Sequence, residues 1–131
     1  MNNPKEVGER TEAAILNHFI QKGISVSIPW GNNQRYDLVL EENNKLLKAQ
    51  CKTGTYKNGV ITFATSSKAG GKIRKDYFGQ VDCFLVYCEQ LNKFYKINIA
   101  NAPKTVMSLR VDPYEKFSPK STINWAKDYE V

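Results

Sequence analysis

The sequence predicts an α/β fold built on a central mixed β-sheet flanked by helices. Apolar residues recur at helical spacing near the N-terminus, and several short strand patterns follow them. The apolar run from Cys83 to Cys88 is continuous, which is typical of a strand covered on both faces. One helix, then several strands, then a minor helix is the order of an α/β sandwich.

The first element is a helix at residues 5–22, because its apolar positions lie at helical spacing and Gly23 supplies a stop signal. A first strand at residues 24–28 follows, and Pro29 ends it because proline cannot donate to a strand ladder. A loop rich in turn-forming residues then leads to the next pair of strands.

Glu12 lies on or beside the buried stripe of this helix, because it precedes Leu16 by four positions and Phe19 by seven. One interpretation is a glutamate at the edge of the stripe whose carboxylate reaches water. The other is a metal ligand that faces the sheet, and the strand pair that follows favours this second interpretation. Glu9, one turn earlier, is the alternative ligand.

Residues 36–41 and 46–53 are predicted to form a β-hairpin, with Asn43 and Asn44 in the turn because asparagine tolerates positive φ. Side chains alternate along a strand, so one face of the second strand carries Lys48, Gln50 and Lys52. If Asp37 faces the same way, a carboxylate, an amide oxygen and an ammonium meet at one point. Such a point suits a hard cation such as Mg²⁺, and the ammonium can orient a water or balance charge on a phosphate.

The later elements are expected to be short. The prediction places a strand at residues 60–65, a mobile loop at 66–75, a strand at 93–99 and a short helix near 100–107. The loop is expected because Gly70 and Gly71 lie among four basic residues. Trp125 is expected to dock the C-terminal region on the core.

Two spaced motifs resemble the PD-(D/E)XK nuclease superfamily, in which an Asp on one strand and an acid-x-Lys on the next bind divalent metal and cut DNA. Here these positions are Asp37 and Gln50-Cys51-Lys52. The resemblance implies a restriction-endonuclease-like core, and it is closest to the group I intron-encoded homing endonucleases. The stretches that carry it are residues 8–16, 35–38, 50–54, 76–82 and 84–88. The first stretch also resembles the helix that carries an extra metal-binding Glu in archaeal-type Holliday junction resolvases.

The resemblance implies a role for each residue of this site. Asp37, Gln50 and the backbone carbonyl of Cys51 would hold one Mg²⁺, which Mn²⁺ can replace, and Glu12 would complete the site. The cation would lower the pKa of a bound water and stabilise charge on the scissile phosphate. Lys52 would orient the attacking water.

Two positions depart from the pattern of the superfamily. Tyr36 precedes Asp37 where many members have proline, at a position that varies among them. Gln50 stands where most members have Asp or Glu, and a neutral amide oxygen binds a hard cation more weakly than a carboxylate does. Gln is a known variation in the homing branch, and it makes Glu12 more important as a second negative ligand.

Positive charge is concentrated in the middle of the chain. Residues 45–78 carry eight Lys or Arg and one acidic residue, Asp76, so their net charge is +7 in a chain of net charge +6. This clustering is typical of a protein that binds a phosphate backbone, and its position after the hairpin favours nucleic acid over a merely solvated basic face. Ser66 and Gln80 either contact the phosphate or hold the site in place. The predicted DNA-binding residues are Lys48, Lys57, Ser66, Lys68, Lys72, Arg74, Lys75 and Gln80.

Length and composition set outer limits on the protein. A chain of 131 residues is expected to form one nuclease domain over residues 1–131. No apolar run approaches the length that spans a bilayer, so no membrane association is expected. Three cysteines without a spaced framework favour a reducing compartment. The expected location is the cytoplasm, on the nucleoid of a prokaryote or with a phage or intron-bearing genome.

Three functions fit these observations. The first is a sequence-specific DNA endonuclease of the homing type, the second is a structure-specific Holliday junction resolvase, and the third is a DNA-binding module with a catalytically weak site. The expected partner is double-stranded or branched DNA. A homodimer or homotetramer is expected, because a small chain with one site needs a second copy to cut both strands.

Overall fold

A helix covers one face of the central sheet in this computed structural model, which describes residues 3–31, 34–69, 73–113 and 123–131. The helix, α1, spans Pro4–Gln21 and precedes all of the strands. In chain order the strands are β1 (Ser25–Ser27), β2 (Leu38–Glu42), β3 (Lys45–Thr53), β4 (Thr55–Lys57), β5 (Val60–Ala64), β6 (Ser66–Ala69), β7 (Ile73–Asp76), β8 (Cys83–Cys88), β9 (Lys93–Asn98) and β10 (Val106–Arg110).

The predicted mixed sheet is confirmed. Its five strands lie in the order β1-β2-β3-β8-β9. The β3–β8 pair is parallel and the other neighbours are antiparallel. A second sheet, β10-β5-β4, packs over the face opposite α1, and β6 pairs with β7 in a separate two-stranded sheet. The layers are therefore helix, mixed sheet and small antiparallel sheet.

Helix α1 begins and ends within a residue of the predicted bounds. The Asn3 side chain accepts a hydrogen bond from the Lys5 backbone N–H at 2.9 Å, which caps the helix start next to Pro4. Gly23 has φ of 80° and ends the element. The buried stripe of the helix, spaced by four residues, is Thr11, Ile15 and Phe19.

Strand β8 divides two hydrophobic cores. Cys83 and Leu85 face α1, whereas Phe84, Val86 and Cys88 face the second sheet. This alternation confirms that the continuous apolar run is a strand covered on both faces. Cys83 and Cys88 therefore lie on opposite sides of the sheet, and all three cysteines of the chain are buried free thiols.

The β2–β3 hairpin has the predicted asparagine turn. Asn43 has φ of 52° and Asn44 has φ of 63°, the left-handed pair that a two-residue hairpin turn requires. Leu38 pairs with Ala49 in the antiparallel register. Asp37, one position before Leu38, therefore lies opposite Gln50 and shares its face of the sheet.

Two predicted elements are wrong. Residues 66–75 were expected to form a mobile loop, but the chain here forms the antiparallel strands β6 and β7, which together are called the β6–β7 ribbon below. Residues 100–107 were expected to be helical, but only a 3₁₀ turn at Ile99–Asn101 is present and strand β10 follows. Met107 and Leu109 are buried, Val106 and Ser108 are exposed and Arg110 is half-buried, a period of two residues that suits a strand against β5.

The C-terminal residues dock on the sheets, as predicted for Trp125. A bridge joins Trp125 to Arg110 of β10, and Ala126 lies in the core between the sheets. The final residue is held too, because the Val131 backbone N–H donates to the Phe94 carbonyl at 3.0 Å. Within the described residues, no helix is both long and apolar enough to cross a membrane.

Gly54, directly after β3, is expected to tolerate no side chain. A Cβ atom there would lie 2.7 Å from Ile61 Cγ2 and 2.9 Å from Val86 Cγ1, both in the core. Gly54→Ala should therefore lower the free energy of unfolding by about 1–3 kcal/mol, measured by urea denaturation. Gly8→Ala is the matched control, because a Cβ at Gly8 meets nothing within 4 Å. Alanine in this helix should raise stability by about 0.5–1 kcal/mol, and equal losses in both variants would contradict the packing explanation.

Candidate active site

The Asp37 carboxylate is fixed to the backbone of β3. The Asp37 N–H donates to the Ala49 carbonyl at 2.8 Å, and Asp37 Oδ2 accepts from the Cys51 N–H at 2.9 Å. These two bonds extend the hairpin register by one residue and hold the carboxylate at the face that also carries Gln50. The predicted convergence of Asp37 and Gln50 is therefore present in the structure.

A cavity of about 380 Å³ joins this face to the first half of α1. It contains Glu12, the predicted additional ligand, and also Glu9, the alternative. The residues that line it are Pro4, Lys5, Gly8, Glu9, Glu12, Asp37, Gln50 and Cys51. The helix and the hairpin thus bring three predicted site side chains and the Cys51 backbone to one place.

A threonine pair sets the rotation of α1 above the site. Thr11 is 4% exposed, and its Oγ1 lies 2.7 Å from Thr53 Oγ1 at the end of β3. Glu12 follows Thr11 in the helix, and its carboxyl group forms a hydrogen bond with Asp37. Sequence reasoning missed the pair, although a threonine within the apolar stripe of a helix is a signal for a buried polar contact.

The two carboxyl groups interact strongly. Burial, then the negative charge of Asp37 and a hydrogen bond with its carboxyl group, and lastly the charge of Glu9, raise the pKa of Glu12 from 4.5 to about 7. Glu12 therefore keeps its proton at a pH where an ordinary glutamate is ionised. A divalent cation between the carboxyl groups would displace this proton, which makes cation binding dependent on pH.

The donor set fits a hard divalent cation. Glu12 and Asp37 supply carboxylates, Gln50 supplies an amide oxygen and Cys51 supplies a backbone carbonyl, all of them oxygen donors. The Gln50 Nε2 lies 3.5 Å from the Cys51 carbonyl oxygen, so turning the amide oxygen toward a cation loses only a weak contact. Among the described residues no three His, Cys, Asp or Glu side chains form a metal-binding group. Half of this donor set is instead amide and backbone oxygen.

Lys52 does not line this cavity, although it follows Gln50 by two residues on the same face of β3. Its Nζ donates to the Tyr77 hydroxyl at 3.2 Å and lies 4.8 Å from the centre of the Tyr77 ring. The hairpin therefore places Lys52 as alternation predicts, and Tyr77 holds its ammonium. Sequence reasoning missed Tyr77 in this role, because the contact joins residues that are 25 positions apart.

The predicted DNA-binding residues fall into different environments. Lys57 and Lys75 are exposed, and the Lys48 Nζ lies 5.9 Å from the centre of the Tyr36 ring. Lys68 and Arg74 are positions of the β6–β7 ribbon, and the structure does not describe their side chains. Lys72 lies outside the described residues. The contribution of these basic residues to DNA binding remains a prediction.

Ser66 and Gln80 are engaged inside the protein. Ser66 is 4% exposed, and its hydroxyl donates to the Thr105 carbonyl at 3.3 Å. Gln80 is exposed, and its Oε1 accepts from Arg35 Nε at 2.6 Å. These contacts favour the interpretation that the two residues hold the site in place, although their role in DNA binding remains a prediction.

The whole chain matches one family of nucleases. The model of the PD-(D/E)XK endonuclease family covers residues 2–131. The chain belongs to the PD-(D/E)XK endonuclease family. It is therefore a nuclease with DNA as the implied substrate, and nucleases of this family generally use divalent metals.

The fold of this PD-(D/E)XK protein is similar to that of a bacterial homing endonuclease. The likeness has a TM-score of 0.75 at 22% sequence identity, and it covers 98% of this chain and 89% of the other. At this identity the likeness establishes the restriction-endonuclease-like fold. No curated protein sequence matches significantly.

The raised pKa of Glu12 predicts how stability depends on pH in the metal-free protein. The folded chain holds a proton that the unfolded chain releases between pH 4.5 and about 7. The stability gained from this proton is fully present below pH 4.5 and is lost as pH rises through about 7. Glu12→Gln should remove this loss, so the variant should be more stable than the wild type at pH 8 in EDTA.

Urea midpoints at pH 5 and pH 8 measure this effect. Glu41→Gln, at an exposed position of β2, is the control and should keep the wild-type change between the two pH values. A Glu12→Gln protein with the same change as the wild type would show that the carboxyl pair does not hold the proton.

Proposed function

We propose that this chain is a divalent-metal-dependent DNA endonuclease that cuts specific duplex sequences, in the manner of a homing endonuclease. The observation that carries the proposal is the cavity in which Glu12, Asp37, Gln50 and the Cys51 carbonyl meet. Mg²⁺ is the proposed cation, with Mn²⁺ as a substitute, because all four donors are oxygen atoms.

Different side chains of the site would have different roles in phosphodiester hydrolysis. Asp37 and Gln50 would hold the cation together with the Cys51 carbonyl, and Glu12 would release its proton to become a second negative ligand. When bound, the cation supplies Lewis-acid stabilisation of charge on the scissile phosphate and activation of water. Lys52 would orient the attacking water or balance phosphate charge, since it follows Gln50 by two residues on β3 and shares its face of the strand.

The β6–β7 ribbon supports recognition of duplex sequence. A two-stranded antiparallel ribbon fits the major groove of B-DNA, where each base pair shows a distinct pattern of donors and acceptors. The ribbon has no partner strand in the other sheets of the described chain, and three of its residues are basic. The likeness to a bacterial homing endonuclease also favours sequence-specific cutting over recognition of a branched structure.

The proposed working unit is an assembly of identical chains. Each chain would contribute residues 1–131 as a single nuclease domain with one site, and one site cuts one strand. A homodimer or homotetramer would place two sites on the two strands of the target. A cytoplasmic, nucleoid-associated location fits such a substrate.

Asp37→Ala should abolish cleavage while DNA binding persists. Losing the fixed carboxylate removes the central cation ligand, so the cleavage rate with Mg²⁺ or Mn²⁺ should fall by at least about 100-fold. The assay uses a labelled library of randomised duplexes and a fixed four-way junction beside its matched linear duplexes. Asp128→Ala, at an exposed position far along the chain, is the control and should cut as the wild type does.

The substrate that is cut decides between the candidate functions. Cutting of a subset of duplexes, lost in Asp37→Ala, is the result expected of a homing-type enzyme. Symmetric cutting of the junction alone, also lost in the variant, would make the protein a Holliday junction resolvase. Equal cutting by wild type and variant would show that the site is assigned to the wrong residues.

Gln50→Glu should bind divalent metal more tightly than the wild type. A carboxylate replaces a neutral amide oxygen, so the dissociation constant for Mn²⁺ should fall by about tenfold in calorimetry at pH 8. Asp37→Ala in the same titration should show no binding at this site. A wild-type protein whose Mn²⁺ binding does not depend on Asp37 would be a DNA-binding module with a decayed site.

A further inference from the structure

Two cationic side chains converge on Tyr77. The Lys52 Nζ lies 3.2 Å from the Tyr77 hydroxyl, and the Arg35 Cζ lies 3.9 Å from the centre of its ring. Tyr77 is only 4% exposed, so both cations meet a phenol that is almost completely buried. Cation–π attraction strengthens when water is excluded, so this arrangement favours a fixed position for both side chains.

The protein fixes Tyr77 from several directions. Its ring packs perpendicular to the Phe84 ring, with centroids 5.4 Å apart, inside the core between the sheets. Its carbonyl accepts hydrogen bonds from the Gln80 N–H at 3.0 Å and the Val81 N–H at 3.2 Å. The hydroxyl therefore has a set position before any ligand arrives.

Arg35 ties Tyr77 to the β6–β7 ribbon. Its Nη1 donates to the Ser67 hydroxyl on β6, and its Nη2 donates to the carbonyls of Asp76 at 2.8 Å and Lys75 at 3.3 Å on β7. Its Nε donates to Gln80 at 2.6 Å. A guanidinium has five N–H groups, and these contacts use most of them. Arg35 is therefore a connection within the protein, and little of it remains to bind phosphate.

Lys52 has no carboxylate partner in the part of the chain that the structure describes. Neither ion pair found among the described residues includes Lys52. A lysine side chain loses rotamer entropy when it is ordered, and the fixed Tyr77 hydroxyl means that part of this entropy is already lost before the reaction begins. The neutral hydroxyl of Tyr77 orders the ammonium without neutralising it, which leaves its charge available at the site.

We propose that Tyr77 is a positioning residue for Lys52, and that Arg35 makes this position depend on the β6–β7 ribbon. The inference rests on the proposed nuclease function and adds a connection from the DNA-reading ribbon to the reactive centre. Docking of the ribbon on DNA would hold the Arg35–Tyr77 pair, and the pair would hold Lys52 at the scissile phosphate.

The first test compares cleavage by Tyr77→Phe and wild type on a substrate that the wild type cuts. The change removes one hydroxyl and keeps the buried ring, so the single-turnover rate constant should fall about tenfold or more. The DNA dissociation constant, measured with Ca²⁺ in place of Mg²⁺, should change less than about twofold. Tyr56→Phe is the matched control, because it also loses one tyrosine hydroxyl bond, from Tyr56 to Asp112 at 2.7 Å. This variant should keep the wild-type cleavage rate.

A double-mutant cycle separates positioning from a structural effect. In a Lys52→Met background, measured with Mn²⁺, the change Tyr77→Phe should cause no further loss of rate. An equal loss in both backgrounds would show that Tyr77 does not act through Lys52, and a wild-type rate in the single variant Tyr77→Phe would equally overturn the proposal.

A second readout does not need cleavage. In protein labelled with ¹³Cε-lysine, the Lys52 resonance is identified by its absence in Lys52→Met. It should be shifted by the ring current of Tyr77 in the wild type and move toward the exposed lysine resonances in Tyr77→Phe. Arg35→Lys keeps the positive charge but loses the guanidinium N–H groups that bond both strands of the ribbon. It should move the Lys52 resonance in the same direction. An unchanged Lys52 resonance in both variants would overturn the proposal.

The two readouts also separate this inference from the proposed function. A wild-type protein that cuts nothing would contradict the proposed nuclease function, while the Lys52 resonance would still show whether Tyr77 holds the ammonium. A protein whose cutting depends on Asp37, but in which Tyr77→Phe leaves both the rate and the resonance unchanged, would keep its function and lose the positioning device.

Discussion

The parallel pairing of β3 with β8 is the constraint on which the site depends, because β3 carries Gln50, Cys51 and Lys52. Asp82, directly before β8, fixes the start of this pairing. The Asp82 carboxylate accepts a hydrogen bond from the Lys48 N–H, and the Asp82 N–H donates to the Lys48 carbonyl, both at 2.8 Å. Asp82 therefore has a structural role at the start of the β3–β8 pairing. A slip of one residue would turn every side chain of β3 to the other face relative to β8, so this clamp keeps Gln50 and Lys52 on the face that carries Phe84 and Val86.

The candidate site is negatively charged, whereas the middle of the chain is positively charged. The carboxylates come from the acidic first third of the chain, and the basic residues predicted to bind DNA come from the middle third. Two adjacent carboxylates repel a phosphate, and a bound divalent cation changes this repulsion into attraction. The proton that Glu12 holds near neutral pH reduces the repulsion between the carboxyl groups while the cation is absent. Burial and charge thus keep the site assembled before its ligands arrive.

Local patterns in the sequence predict the parts of this protein that obey one periodicity. Helix α1, the β2–β3 hairpin and strand β8 are predicted well, because apolar spacing and turn residues determine them. The β6–β7 ribbon has no apolar alternation, and its Gly-rich sequence resembles a loop. The distant Arg35 donates hydrogen bonds to both of its strands, and local patterns do not show such contacts. The alternation of Met107 and Leu109 was present in the sequence but was outweighed by the expectation of a helix.

The sequence predicts the residues of the candidate site that lie on or next to the hairpin strands. It does not predict the residues that hold them in position. Asp37 and Gln50 meet because hairpin register follows from turn geometry. Thr11, Arg35 and Tyr77 act through contacts across the fold, which one sequence does not reveal.

The three buried thiols have a practical consequence. Burial raises the pKa of Cys83 to about 12 and that of Cys51 well above its usual range, and all three thiols are shielded from reagents in the folded protein. A single cysteine introduced on the surface can therefore carry a fluorophore or spin label without removal of the native cysteines.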